Sequence, residues 1–162
     1  MSRRASGTPA IKALDALGLH YTPHPYEHDP AAEGYGLEAA RVLGVEPDRV
    51  FKTLVAEADG LLVIAVVPVS AMLDLKALAA ATGAKRAAMA SPADAERRTG
   101  YVLGGISPLG QRTRLPLVLD ASAAVHRTIF VSGGRRGFDI ELAPADLLTA
   151  TAGSSARIAV AR

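Results

Sequence analysis

The chain has 162 residues and no cysteine, and its 18 lysine and arginine residues against 16 aspartates and glutamates give a formal net charge of +2. This length predicts a single domain that buries enough surface to fold without disulfides or a structural metal. The lack of cysteine excludes disulfide bonds, thiolate zinc sites and a cysteine nucleophile. The small net charge excludes indiscriminate attraction to nucleic acid, so DNA is not an expected partner and any RNA contact must be local.

The amino terminus, MSRRASGTPA, is polar and contains no apolar segment typical of a secretory signal. No stretch of the chain approaches the roughly 18 uninterrupted apolar residues that a membrane-spanning helix needs. We therefore expect a cytoplasmic protein that does not bind a membrane.

Thr8 and Pro9 predict the start of a first helix that ends at Gly18. The next predicted elements are an extended segment over residues 20–26, a helix over 37–43, strands over 50–56 and 61–67, helices over 75–81 and 92–98, strands over 115–119, 128–131 and 138–142, and a helix from 144 to 148. Asp59-Gly60 predicts a hairpin turn between the first two strands. Because strands and helices do not alternate regularly, the pattern favours an α+β fold with a mixed sheet.

Two charged residues stand in apolar strands. Lys52 lies in VFKTLV, where neither strand face is polar, so it lies either at a sheet edge or in a cavity. A lysine in a cavity could bind a phosphate, a ribose hydroxyl or a developing oxyanion. Asp139 alternates onto the face opposite Phe138 and Ile140, where it either accepts a hydrogen bond from a substrate amine or faces solvent.

Two glycine-rich segments are candidate binding loops. In TGYVLGGISPLGQ, residues 99–111, Gly104 and Gly105 allow positive φ and could direct backbone N–H groups at a carbonyl oxygen or a phosphate. A simple tight turn is the alternative. In VSGGRRG, Arg135 and Arg136 adjoin a glycine turn, and guanidinium groups there suit an anion.

Several common catalytic sites are not encoded. Ser107 is followed by Pro108, so the G-x-S-x-G elbow of a serine nucleophile is missing, and neither a Walker A nor a G-x-G-x-x-G motif occurs. The histidines at 20, 24 and 28 lie on an extended segment, where four residues span roughly 13 Å, too far for two imidazoles to share a zinc ion. We expect no metal and no cofactor.

Six segments resemble the YbaK/EbsC family of free-standing aminoacyl-tRNA deacylases, which are relatives of the editing domain inserted in bacterial prolyl-tRNA synthetases. They are YEHDP (26–30), VFKTL (50–54), LDLKALAAATGAK (73–85), TGYVLGGISPLGQ (99–111), IFVSGGRRG (129–137) and DIEL (139–142). They occur in the family's order over nearly the whole chain, so residues 1–162 are expected to form one editing domain. The Cys-tRNA(Pro) deacylase branch is the one they favour.

The resemblance implies a mixed, barrel-like β-sheet flanked by helices, with a cleft for the charged 3′ end of tRNA. It assigns catalytic roles to Lys52, Gly104 and Asp139, and substrate binding to Tyr26, Tyr35, Thr53, Gly105 and Ser132. Tyr35 departs from the phenylalanine expected in the family, and its hydroxyl makes the aromatic wall of the expected pocket less apolar. We assign tRNA phosphate binding to Arg135 and Arg136.

The implied activity is removal of cysteine from mischarged Cys-tRNA(Pro). In the family the proposed nucleophile is the substrate's own thiol, which attacks the ester carbonyl and leaves as a cyclic thiolactone. Aminoacyl-tRNA is thus the expected partner, and prolyl-tRNA synthetase is a candidate second partner. Two alternatives remain open: an Ala-tRNA(Pro) deacylase that uses water, and a non-catalytic module that binds tRNA or a synthetase.

Overall fold

The computed structural model describes residues 7–32 and 34–162, so the first six residues of the polar amino terminus lie outside it. The helices of the described residues are α1 (Pro9–Leu17), α2 (Tyr35–Leu43), α3 (Leu75–Thr82), α4 (Pro92–Thr99) and α5 (Pro144–Thr151). The strands are β1 (Thr22–Pro25), β2 (Phe51–Ala58), β3 (Leu61–Pro68), β4 (Ala71–Leu73), β5 (Ala87–Met89), β6 (Leu117–Asp120), β7 (Ile129–Arg135), β8 (Phe138–Leu142), β9 (Ser154–Ala156) and β10 (Ala159–Ala161). No helix in this part of the chain is long and apolar enough to cross a membrane.

Side-chain caps set the starts of three helices. Thr8, Asp74 and Ser91 each accept a hydrogen bond from a backbone N–H in the first turn of α1, α3 and α4. These helix starts were predicted from the sequence and are confirmed. Helix α2 begins at Tyr35, two residues before its predicted start, so Tyr35 belongs to the first helical turn.

The strands form three sheets. The largest has the order β5-β2-β3-β6-β9, antiparallel from β5 to β3 and parallel from β3 to β9. A second sheet, β1-β8-β7, is antiparallel, and β4 pairs with β10 alone. Asp59 and Gly60 both have positive φ, 49° and 85°, which confirms the hairpin turn.

The predicted mixed α+β fold is confirmed, whereas the described strands do not close into a barrel. The two larger sheets are joined by a single parallel bridge between Val50 and Phe130, and their pairing goes no further. A closed barrel needs an unbroken ladder of strand pairs around its circumference. The gap left at this junction is important because the candidate site lies beside it.

Helix α2 packs over the junction of the two sheets. Ala39 and Ala40 on the helix are buried in one small apolar cluster with Val50, Val69 and Phe130. Gly36 makes the close approach possible, since a Cβ there would lie 2.2 Å from a methyl carbon of Val69. The helix therefore stands close to the sheets and forms one wall of a cavity.

Candidate active site

A cavity of about 310 Å³ opens between α2, the loop after α4, and strands β2, β7 and β8. Most of the residues predicted to form the site line it: Tyr26, Tyr35, Lys52, Thr53, Gly104, Ser132, Arg135 and Asp139. Gly105 and Arg136 are not part of the lining. Residues far apart in the sequence are thus brought to one place.

Lys52 is a cavity residue. It lies on β2 opposite Val67, is partly buried, and donates a hydrogen bond from Nζ to the carbonyl oxygen of Ala71 at 3.1 Å. Burial, with a smaller contribution from Arg162, lowers the pKa of Lys52. An ammonium group has three donors, so two remain for a ligand after the bond to Ala71.

Asp139 lies on β8 in register with Ser132 of β7 and with His24 of β1, and only 6% of its surface is exposed. Burial raises the pKa of Asp139 to about 7. The carboxyl group therefore changes charge near neutral pH. Burial, followed by the charges of Asp139 and Glu38, raises the pKa of Tyr26 to about 12, so the Tyr26 phenol remains neutral and able to donate.

The Thr53 hydroxyl is unsatisfied within the part of the chain that the structure describes. Its Oγ1 is buried and makes no hydrogen bond within the described residues. A buried hydroxyl without a partner costs roughly 1–3 kcal/mol. Because Thr53 lines the cavity beside Lys52, this hydroxyl is a candidate to bond a ligand.

Gly104 lies against the Tyr35 wall. It has a φ of 85°, as the sequence suggested for both glycines, whereas Gly105 does not have a positive φ. A Cβ at Gly104 would lie 2.7 Å from ring atoms of Tyr35. The guanidinium carbon of Arg136 lies 5.0 Å from the centroid of the Tyr35 ring, and its Nε and Nη2 donate to the Leu103 carbonyl at 3.0 and 2.7 Å. Arg136 thus fixes the loop that carries Gly104 against Tyr35.

Gly105 has a packing role. Its N–H donates to the carbonyl of Val102 at 2.9 Å and closes a turn. A Cβ at this position would lie 2.8 Å from the Cα of Arg135. The Gly105 N–H is therefore already bonded, whereas the Gly104 N–H has no backbone partner among the described residues.

Residues 30–150 match the aminoacyl-tRNA editing domain family. The chain belongs to this family. EbsC of Enterococcus faecalis, named as a candidate Cys-tRNA(Pro)/Cys-tRNA(Cys) deacylase, is 44% identical over 149 residues, which cover 90% of this chain and 91% of EbsC. The family resemblance seen in the sequence motifs is confirmed.

Two crystal structures show the same fold. One, of a candidate trans-editing enzyme for prolyl tRNA synthetase, has a TM-score of 0.83 at 24% identity and covers 94% of this chain and 95% of its own. The other, described only as a hypothetical protein, also has a TM-score of 0.83, at 23% identity, and covers 94% and 99% of the two chains. At these identities the likeness shows the fold alone.

A buried glutamate that bonds a histidine in this editing domain was not anticipated from the sequence. Glu38 on α2 is 3% exposed, bonds the Nδ1 of His28 at 2.8 Å and accepts from the N–H of Asp29 at 2.7 Å. Burial opposes ionisation of Glu38, but these two hydrogen bonds outweigh it and hold the Glu38 pKa below its ordinary value. The pair ties the segment after β1 to α2, and the His28 and Tyr35 rings lie 5.6 Å apart. The one indication of a buried carboxylate in the sequence was Glu38 itself, a charged residue next to Ala39 and Ala40 in the predicted helix.

Ser107, His24 and His28, which were also singled out in the sequence, have structural partners. Ser107 is fully buried, and its Oγ accepts from the N–H of Leu109 at 3.2 Å. The Nε2 of His24 bonds Glu141 at 2.9 Å, so His24 and His28 contact different carboxylates. The described residues contain no group of three or more side chains placed to bind a metal ion.

Proposed function

We propose that this editing domain, acting as one unit over residues 1–162, is a free-standing deacylase that removes cysteine from mischarged Cys-tRNA(Pro). The proposal is carried by one observation: the cavity holds Lys52, Gly104 and Asp139 together in a chain that is 44% identical to a protein named as such a deacylase. A cavity of about 310 Å³ has room for a small aminoacyl group. Prolyl-tRNA synthetase is a candidate partner that would deliver the mischarged tRNA.

In this proposal the residues of the cavity position the ester. The free donors of Lys52 orient the ribose or the terminal phosphate, and the carboxyl group of Asp139 accepts a hydrogen bond from the substrate amine. The Gly104 N–H stabilises the oxyanion, since the Gly105 N–H is engaged in its turn. Tyr26 and Tyr35 form the wall beside the aminoacyl side chain.

The nucleophile comes from the substrate. The chain has no cysteine, and Ser132, the serine in the cavity lining, accepts a hydrogen bond from the N–H of Gly134 at 3.2 Å and, within the described residues, makes no hydrogen bond to Asp139, its partner in register on β8. The cysteine thiol of the substrate attacks its own ester carbonyl, forming a carbon–sulfur bond and breaking the bond to the ribose oxygen. The thiol proton ends on that ribose oxygen, and the product is a cyclic thiolactone. Catalysis then rests on positioning and electrostatics.

Replacing Lys52 tests the proposed site. Lys52→Ala is expected to lower the rate of cysteine release from Cys-tRNA(Pro) by about a hundredfold or more, because Lys52 orients the ester and a misplacement of about 1 Å costs that much. Lys76→Ala, which removes an exposed lysine of α3 outside the cavity lining, is the matched control and is expected to retain full activity. Circular dichroism of both variants checks the fold. Wild-type turnover in Lys52→Ala would remove this lysine from the mechanism.

Blocking the thiol tests the nucleophile. Cys-tRNA is expected to be cleared quickly and Ser-tRNA much more slowly, because a hydroxyl is a far weaker nucleophile than a partly ionised thiol. Mass spectrometry of a short reaction should detect cysteine thiolactone. Rapid hydrolysis of S-methylcysteinyl-tRNA would refute the substrate-thiol mechanism. Faster clearance of Ala-tRNA than of Cys-tRNA would instead favour a water-dependent alanine deacylase, and binding without turnover would identify a non-catalytic module.

A further inference from the structure

Two arginines, Arg135 and Arg162, line the cavity together with Lys52. The Arg135 guanidinium packs over the Phe138 ring at 4.9 Å, whereas the charge that acts on Lys52 is that of Arg162, although Lys52 and Arg162 are far apart in the sequence. The strand register explains their proximity: Arg162 directly follows Ala161, and Ala161 pairs with Ala71 across β10 and β4. The carbonyl of Ala71 is the group that accepts the hydrogen bond from Lys52 Nζ. One short strand pair therefore brings both side chains to the same end of the cavity.

No side-chain carboxylate within the described residues forms a salt bridge with Lys52 or Arg162. The close contacts between basic and acidic side chains there join His24 and Arg49 to Glu141, His28 to Glu38, and Arg97 to Asp94. The acidic side chain among the lining residues is Asp139, and burial opposes its ionisation. Lys52 and Arg162 repel each other, and an anion bound between them relieves that repulsion.

We propose that Arg162 and Lys52 form a phosphate-binding subsite that holds the phosphodiester on the 5′ side of the substrate's terminal adenosine. The inference rests on the proposed function, in which an aminoacylated 3′ end occupies the cavity. The carboxyl group of the amino acid is esterified there and its amine is positively charged, so the nearest anion of the substrate is this phosphate. The planar guanidinium of Arg162 can donate two parallel hydrogen bonds to phosphate oxygens, while Lys52 adds a point charge.

This arrangement separates two tasks within the cavity. The phosphate is held at the Arg162 end, and the aminoacyl group lies toward Asp139 and Tyr26. A small ester without the nucleotide phosphate would lack the first contact. Arg162 therefore selects for a nucleotide ester over other esters of the same amino acid.

Ligand binding tests the subsite without any turnover. Calorimetry would compare adenosine 5′-monophosphate with adenosine for the wild type, Arg162→Ala, Arg162→Lys and Arg157→Ala. Arg157 is exposed five positions earlier and does not line the cavity, so its variant is the matched control. The wild type and Arg157→Ala are expected to prefer the monophosphate by about tenfold or more. Arg162→Ala should lose most of that preference, and Arg162→Lys should keep part of it. An unchanged preference in Arg162→Ala would overturn the proposal.

Kinetics provide the second readout. In Arg162→Ala the KM for Cys-tRNA(Pro) is expected to rise about tenfold with kcat largely retained, because the phosphate contact is made in both the ground state and the transition state. If the wild type is active and Arg162→Ala has an unchanged KM, the subsite is refuted and the proposed deacylase function stands. Wild type that binds the monophosphate through Arg162 and does not deacylate would refute the proposed function while supporting the subsite.

Discussion

The buried carboxyl group of Asp139 is expected to make the stability of this protein fall as pH rises. Burial moves the Asp139 pKa from its ordinary value of 3.8 to about 7 in the folded protein. Between those two pH values the folded state binds a proton that the unfolded state has lost, so the free energy of unfolding decreases with increasing pH. Asp139→Asn removes this titration and replaces the carboxyl group with a neutral group of similar shape.

The magnitude follows from the two pKa values. A tenfold change in proton affinity corresponds to about 1.4 kcal/mol, so ionised Asp139 destabilises the fold by on the order of 4 kcal/mol well above pH 7. At about pH 5 the folded protein still holds the proton, and the raised Asp139 pKa lowers the free energy of unfolding by roughly 1.5 kcal/mol. The stability of Asp139→Asn relative to wild type should thus increase by roughly 2–3 kcal/mol between about pH 5 and about pH 8.

Urea unfolding followed by circular dichroism measures this difference, since the chain has no tryptophan to serve as a fluorescent probe. Glu141→Gln on the same strand is the control. Burial opposes ionisation of Glu141, but Thr128, His24 and Arg49 outweigh it and lower the Glu141 pKa, so this variant should be less stable than wild type at both pH values. A constant stability difference between Asp139→Asn and wild type across this range would refute the assignment of a raised Asp139 pKa.

Two further predictions concern charge. Replacing Arg135 and Arg136 with alanine is expected to weaken tRNA binding and to flatten its salt dependence by up to about one unit of slope per lost phosphate contact. An unchanged slope in a filter-binding titration would show that neither arginine contacts a phosphate and would leave Arg136 with its structural role at the Leu103 carbonyl. Glu38→Gln should destabilise the fold by roughly 1–3 kcal/mol at neutral pH because the bonds to His28 and Asp29 lose a charged acceptor. That loss should shrink as pH falls below 4.5, the ordinary pKa of Glu38, because the unfolded wild type then binds a proton before the folded protein does, and it should be gone below the lowered pKa of the folded carboxyl group. Equal stability of the variant and the wild type at neutral pH would refute this prediction.

Local signals in the sequence determined most of the regular elements. Caps such as Thr8 and Asp74 act within one helical turn, and the Asp59-Gly60 turn acts on the residues beside it, so neighbouring residues suffice to predict them. The motifs also identified the family, and most of the residues predicted for the site line the cavity. The short strands β4, β5, β9 and β10 were not predicted, because three-residue strands form only where a partner from elsewhere in the chain supplies hydrogen bonds.

Only the tertiary structure decided which charged residues face the cavity. From the sequence Lys52 could have occupied a sheet edge and Asp139 could have faced solvent, since strand alternation defines a face without saying what covers it. The packing of α2 over the sheet junction covers that face, and the pairing of β10 with β4 adds Arg162. These contacts join segments separated by long stretches of chain, so their geometry depends on the whole fold.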